Sequence, residues 1–272
     1  MKQLIQLLLV LFVTAQITSA QVTLLNEFRA SNHNITAVAY GKQSNLTATA
    51  GYDESIVVRD AQGEVIKRIK GHKDLISSLV FSANDKFVVG GGYKGDVFVW
   101  NIETGVLVYQ LKGHKRKINS IDVSANGVIA SGSVDKRVLF WELESGKTIH
   151  SPNPLKGEVT SVHFSDDGTK LVSGSKDGSI NMWDGKNGAL LKTMQDTDKS
   201  SGSIQNLSIS PDGRFIHAAN SNGKITVWNT ATGLKINEYG ILTGEVFDMR
   251  HSPDGRYLAI SIADKGFRVL NA

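Results

Sequence analysis

The tryptophans of this chain recur at a nearly constant interval. Four of them lie 41 to 45 residues apart, at Trp100, Trp141, Trp183 and Trp228. Two further features recur after 42 residues: a Gly-His pair that ends at His72 and His114, and a Ser-Pro-Asp-Gly turn that begins at Ser210 and Ser252. Such a repeat holds one small structural unit, which must stack on its neighbours to bury its apolar face. The chain is therefore predicted to be an array of similar units.

Each repeat is predicted to contain four short strands. In the fourth repeat, the alternating segments KLVSGS and SINMW flank the turn Lys176-Asp177-Gly178, and ALLKTM follows a second turn that contains Gly188. Period-2 alternation bounded by Asp, Asn and Gly is typical of strands. No segment beyond the first 20 residues has convincing helical periodicity. Four strands in about 40 to 45 residues is the pattern of a β-propeller blade.

The recurring phrases resemble those of the WD-repeat (WD40) family. Gly-His, Ser-Pro-Asp-Gly, Ser-Gly-Ser-x-Asp and Trp-Asn occur in one order along nearly the whole chain. The resemblance implies an all-β, six-bladed β-propeller of four-stranded blades over residues 21–272. The innermost strands of the six blades are expected to begin near Ile35, Ile76, Ile118, Val159, Ile204 and Val246.

The sixth repeat ends after its third strand, GFRVLN. The segment from Val22 to Phe28, VTLLNEF, precedes the first repeat and has the pattern of an outer strand. We predict that it completes the last blade and closes the ring, because an unpaired edge would promote aggregation.

The resemblance also implies a buried hydrogen-bonded relay within each blade. Its members are a His before the first strand, a Ser in the second, an Asp in the following turn and a Trp in the third. Only the third blade keeps all four, as His114, Ser131, Asp135 and Trp141. Each other blade lacks at least one member; in the second, Lys94 stands at the Asp position. The relay is expected to be structural, since a catalytic Ser-His-Asp set needs an exposed nucleophile.

The first 20 residues are predicted to be a cleaved signal peptide. Lys2 precedes the apolar run from Leu4 to Val13, and Thr18-Ser19-Ala20 supplies small residues for cleavage. The mature chain is then expected to be secreted or periplasmic, with no membrane span, because the apolar run is shorter than the roughly 20 residues that cross a bilayer. The absence of cysteine excludes disulfides and thiolate chemistry.

Two features are candidates for function. Two loops between blades carry a basic patch, which an acidic partner would suit; its residues are Lys70, His72, Lys73, Lys115, Arg116 and Lys117. The second set lies at one position of the innermost strands and is a candidate lining of the central channel: Asp122, His163, Ser208 and Arg250. Local hydrogen bonding between blades is the alternative interpretation of this second set.

The function expected from these patterns is that of a non-enzymatic scaffold for protein–protein interaction outside the cytoplasm. We predict protein partners, no nucleic acid, a monomer, and no cofactor, metal or catalytic residue. The net charge of +4 is too small to argue for nucleic acid. Two alternatives remain open: a propeller hydrolase or lyase, and a sensor or binding module for an anionic ligand, each with its site at a channel mouth.

Overall fold

The computed structural model describes residues 34–198, 202–240, 244–263 and 266–272. All 23 regular elements in these ranges are β-strands. The innermost strands of the six blades are β1 (Ile35–Tyr40), β5 (Ile76–Phe81), β9 (Ile118–Val123), β13 (Val159–Phe164), β17 (Ile204–Ile209) and β21 (Val246–His251). The second strands are β2 (Thr47–Gly51), β6 (Phe87–Gly92), β10 (Val128–Ser133), β14 (Lys170–Ser175), β18 (Phe215–Asn220) and β22 (Tyr257–Ile262). The third strands are β3 (Ile56–Arg59), β7 (Val97–Asn101), β11 (Val138–Glu142), β15 (Ser179–Asp184), β19 (Lys224–Asn229) and β23 (Gly266–Asn271). The outer strands are β4 (Val65–Ile69), β8 (Leu107–Leu111), β12 (Thr148–His150), β16 (Leu190–Gln195) and β20 (Lys235–Gly240).

Each blade is an antiparallel meander, in which consecutive strands are hydrogen-bonded neighbours. Five sheets have four strands, and the sheet of the sixth blade has three among the described residues. Consecutive innermost strands contact one another from β1 to β21. The six-bladed propeller is therefore confirmed, and the innermost strands begin at the six predicted residues.

The turns between the first and second strands follow from the sequence. In the fifth blade, Ser210 accepts the N–H of Gly213 at 2.8 Å through its carbonyl, and its hydroxyl donates to Asp212 at 2.6 Å. Gly213 has φ of +67°, a conformation that a glycine adopts without steric cost. The serines at Ser165 and Ser252 make the same hydroxyl contact with Asp167 and Asp254. The recurring turn motif thus helps to fix the register of these three hairpins.

Neighbouring blades approach closely through small residues of the second strands. A methyl group added to Gly132 would lie 2.4 Å from a methyl carbon of Val159 in the next blade. Gly91 and Gly174 have the same relation to the first residues of β9 and β17. Hydrogen bonds add to this packing, as when the Ser77 hydroxyl donates to the Ile118 carbonyl at 2.5 Å. The core is thus divided into clusters that join adjacent blades.

Two predictions fall on residues outside the described ranges. These are the signal peptide at residues 1–20 and the closing strand from Val22 to Phe28. Within the described ranges, no helix is long and apolar enough to cross a membrane.

Candidate functional site

The four predicted relay residues meet in the third blade. Nδ1 of His114 lies 3.0 Å from both carboxylate oxygens of Asp135, and Nε2 lies 2.7 Å from the Ser131 hydroxyl. The Trp141 ring packs edge-on against the imidazole, with 6.0 Å between ring centroids. Ser131 has no exposed surface, so its hydroxyl is inaccessible to a substrate. This geometry suits a structural role.

Asp135 also holds two loops together at one end of the blade. Its carboxylate accepts the backbone N–H groups of Lys115 at 2.9 Å and Arg137 at 3.1 Å. Burial alone would raise the pKa of this carboxyl, but the hydrogen bonds from His114 and the two backbone groups outweigh burial and lower the pKa. The ionised carboxylate therefore anchors the loop that carries the basic residues 115–117.

Replacing Asp135 by Ala should destabilise the protein by about 1–3 kcal/mol, because His114 and two backbone N–H groups would lose a buried acceptor. The matched control is Asp53→Ala, which changes the corresponding turn of the first blade. Urea unfolding of the two variants measures the difference. Equal losses of stability would show that the third-blade relay has no special weight.

The second blade satisfies its turn by a different route. Lys94 occupies the position of the relay carboxylate, and Gly90 that of the relay serine. The carboxylate comes instead from Asp74, in the loop before β5; it accepts the N–H of Lys94 at 3.0 Å and fills the space beside Gly92. The repeat alignment does not detect Asp74, because Asp74 precedes the first strand of its blade, whereas Asp135 lies in the turn between the second and third strands.

The fourth and fifth blades retain only parts of the relay. In the fourth, the Trp183 indole donates to the Ser173 hydroxyl at 2.9 Å, and Glu158 forms an ion pair with Lys176 at 2.7 Å where the histidine is missing. In the fifth, the Trp228 indole donates to the Thr226 hydroxyl at 2.9 Å.

The loops that carry the predicted basic patch lie at the same end of neighbouring blades. Five of its six residues are at least partly exposed: Lys70, Lys73, Lys115, Arg116 and Lys117. The sixth, His72, differs from the prediction. Its ring is buried against Trp100, with 5.2 Å between centroids, and therefore cannot contribute to a surface. Burial also lowers the pKa of His72, although nearby carboxylates oppose the shift.

The β6–β7 turn joins the two basic loops. Nζ of Lys94 donates to the Lys73 carbonyl at 2.6 Å, and Nζ of Lys117 lies 4.4 Å from the centre of the Tyr93 ring. Gly95, in the same turn, packs against the second basic loop. A Cβ added to Gly95 would lie within 3 Å of the carbonyl oxygens of His114 and Arg116. We define the basic face as the exposed or partly exposed basic residues of the two loops and this turn: Lys70, Lys73, Lys94, Lys115, Arg116 and Lys117. Sequence reasoning omitted Lys94 because the alignment assigned its position to the relay.

Three of the four predicted channel residues form a polar cluster. Nη1 of Arg250 contacts Nδ1 of His163, and Oδ2 of Asp122 lies 3.7 Å from the same nitrogen. Ser208 is buried and lies 2.8 Å from Nδ1 of His251. The structure thus brings Asp122, His163 and Arg250 together across three blades, and places Ser208 in a separate contact. Within the described parts of the chain, no three His, Asp or Glu side chains are grouped as a metal ion would require.

These features define a β-propeller that has the full His-Ser-Asp-Trp relay in its third blade and parts of that relay in other blades. A profile of the WD domain, G-beta repeat, matches residues 63–101, 105–142 and 188–229, and a Vps8 beta-propeller profile matches residues 125–204. The chain therefore contains repeats of the WD40 type. Propellers of this family typically act as protein-interaction scaffolds and are generally non-catalytic.

Several curated proteins are similar over part of their length. The chain is 28% identical to human angio-associated migratory cell protein over 160 residues, which cover 58% of this chain and 36% of that protein. It is 26% identical to protein tipD of Dictyostelium discoideum over 158 residues, covering 58% and 26%. It is 27% identical to WD repeat-containing protein SL1-17 of Schistosoma mansoni over 179 residues, covering 64% and 58%. The matched segments thus span less than two thirds of each relative.

Proposed function

We propose that this propeller is a non-enzymatic scaffold that binds an acidic protein partner through its basic face, outside the cytoplasm. The observation that carries the proposal is the junction of two basic loops at one end of adjacent blades, linked by Lys94 and Lys73. The location rests on the signal-like pattern of residues 1–20 alone.

The basic face combines charge with a fixed backbone. Asp135 anchors the loop of the third blade, and Asp74 anchors the turn of the second. The lysine and arginine heads therefore extend from positioned loops, and an acidic partner would order few backbone residues on binding. Summed positive charge also raises the association rate with an acidic surface.

Changing Lys73, Lys115, Arg116 and Lys117 together to Glu should reduce capture of the partner at least tenfold. Each exposed charge alone has a small effect because water and salt screen it, whereas four reversals repel an acidic surface. Affinity capture from the extracytoplasmic fraction, followed by mass spectrometry, identifies the partner. Titration of that partner against both proteins then measures the loss.

The matched control reverses four exposed charges at the opposite end of the blades, with the same total change in charge: Lys86, Lys147, Lys186 and Arg214 to Glu. This variant should capture the partner as the parent does. Capture by the parent should also weaken as the salt concentration rises from about 0.1 M to about 1 M, because the Debye length falls from about 10 Å to about 3 Å. A partner whose capture survives both the reversal of the basic face and high salt would contradict the proposal.

A further inference from the structure

Three histidines that are not part of the basic face lie between blades four, five and six. His163 is on β13, His217 on β18 and His251 on β21. His163 and His217 are 3% and 5% exposed. His251 is only partly buried. Imidazoles are the side chains whose charge changes most readily near neutral pH, so contacts of this kind can respond to acid.

A continuous chain of contacts joins the fifth and sixth blades. The Ser208 hydroxyl lies 2.8 Å from Nδ1 of His251, and Nε2 of His251 lies 3.1 Å from Nδ1 of His217. A neutral imidazole has one donor and one acceptor nitrogen, which permits this chain in either direction. If both rings were protonated, two N–H groups would face each other and the link between the histidines would break.

A second contact joins the fourth and sixth blades. Nη1 of Arg250 is directed at Nδ1 of His163. A guanidinium only donates, so a hydrogen bond between these two groups requires a free electron pair on Nδ1 and hence a neutral ring. Protonation of Nδ1 would place a second positive group against Arg250 and remove the acceptor. Asp122, 3.7 Å from the same nitrogen, offsets part of this repulsion.

The surroundings favour the neutral form of each ring. Burial lowers the pKa of His217 to about 4. Burial, and then the charges of His217 and His163, lower the pKa of His251 to about 3, against a smaller opposing effect of Asp212. For His163, burial and Arg250 lower the pKa, and they outweigh the opposing carboxylates of Asp122 and Asp248.

We propose that His163, His217 and His251 form an acid-sensitive lock that holds blades four, five and six together at neutral pH and releases them in acid. In an opened or unfolded state the imidazoles protonate near pH 6.5. The locked state accepts those protons only at lower pH. Stability is therefore complete above about pH 6.5 and falls as the pH drops below it, by up to tenfold in the opening constant per pH unit for each histidine.

Titration of ¹³C-labelled histidines in the intact protein tests the neutral state directly. The resonances of the His217 and His251 rings should stay unchanged down to pH 5. Midpoints between pH 6 and 7 for both rings would overturn the lock. This measurement needs no variant other than those used for assignment.

Hydrogen exchange, corrected for the intrinsic rate at each pH, tests whether the release is local. Between pH 7.5 and 5, protection should fall at least tenfold more in β17, β18 and β21 than in β6 and β7. Substituting both His217 and His251 by Gln should remove most of that difference, whereas His150→Gln, on an exposed outer strand, should leave it unchanged. A uniform loss of protection around the ring, or the same local loss in the double variant, would contradict the proposal.

Discussion

A protein lacking Val22–Phe28 is expected to be much less stable than the intact propeller. The first five blades each have an outer strand, whereas the described part of the sixth blade ends with its third strand, β23. Val269 on β23 is 41% exposed. If residues 22–28 supply that strand, their removal leaves an open edge and uncovers apolar surface. The expected loss exceeds about 4 kcal/mol, a size associated with loss of a structural element.

Thermal unfolding followed by circular dichroism measures this effect, with a protein of residues 21–272 as the control. The control should melt at a single temperature. The shorter protein should melt many degrees lower, or aggregate before it melts. Identical melting temperatures for the two proteins would show that residues 22–28 do not close the ring.

Substituting Gly132 by Leu should be nearly as disruptive. The added Cβ would lie 2.4 Å from Cγ1 of Val159 and 3.0 Å from Cγ1 of Val162. Both valines are fully buried in the next blade, so neither can move aside without displacing its strand. Overpacking of this kind costs about 3 kcal/mol or more when the backbone must shift.

The matched control is Gly240→Leu, because a Cβ added there meets no atom of the described residues within 4 Å. That substitution should change stability by less than about 0.5 kcal/mol. Gly132→Ala should be intermediate, since Ala50 and Ala219 occupy the corresponding position in the first and fifth blades. In urea unfolding, Gly132→Leu should therefore be the least stable of the three variants, Gly132→Ala the next and Gly240→Leu the most stable. Equal stability of Gly132→Leu and Gly240→Leu would contradict the packing argument.

Sequence patterns sufficed for the strands because strand alternation and the Ser-x-Asp-Gly turns are local. The innermost strands begin where the repeat phase places them, at Ile35 in the first blade and at Val246 in the sixth. Local patterns likewise brought His114 and Asp135 into one relay, since only 21 residues separate them.

Contacts between distant segments were beyond the same reasoning. The Arg250–His163 contact spans 87 residues, and the repeat alignment gave these residues only a shared position in their strands. The lysines beside His72 in the sequence predict a surface position for it, but the ring packs inward against Trp100. Whether a loop side chain faces solvent or the core depends on backbone direction, which composition does not determine.

The position of Asp74 has a consequence for how this protein can change over evolutionary time. In the third blade one residue, Asp135, both stabilises its turn and lies at the end of the blade that carries the basic face. Natural variation at position 135 is therefore constrained by folding. In the second blade the two tasks are divided, because Asp74 supplies the buried carboxylate and accepts the backbone N–H of residue 94, not its side chain. The side chain at 94 can then vary without loss of that bond. Selection can therefore adjust the charge of the basic face at position 94, and with it the choice of partner, independently of selection for a folded blade.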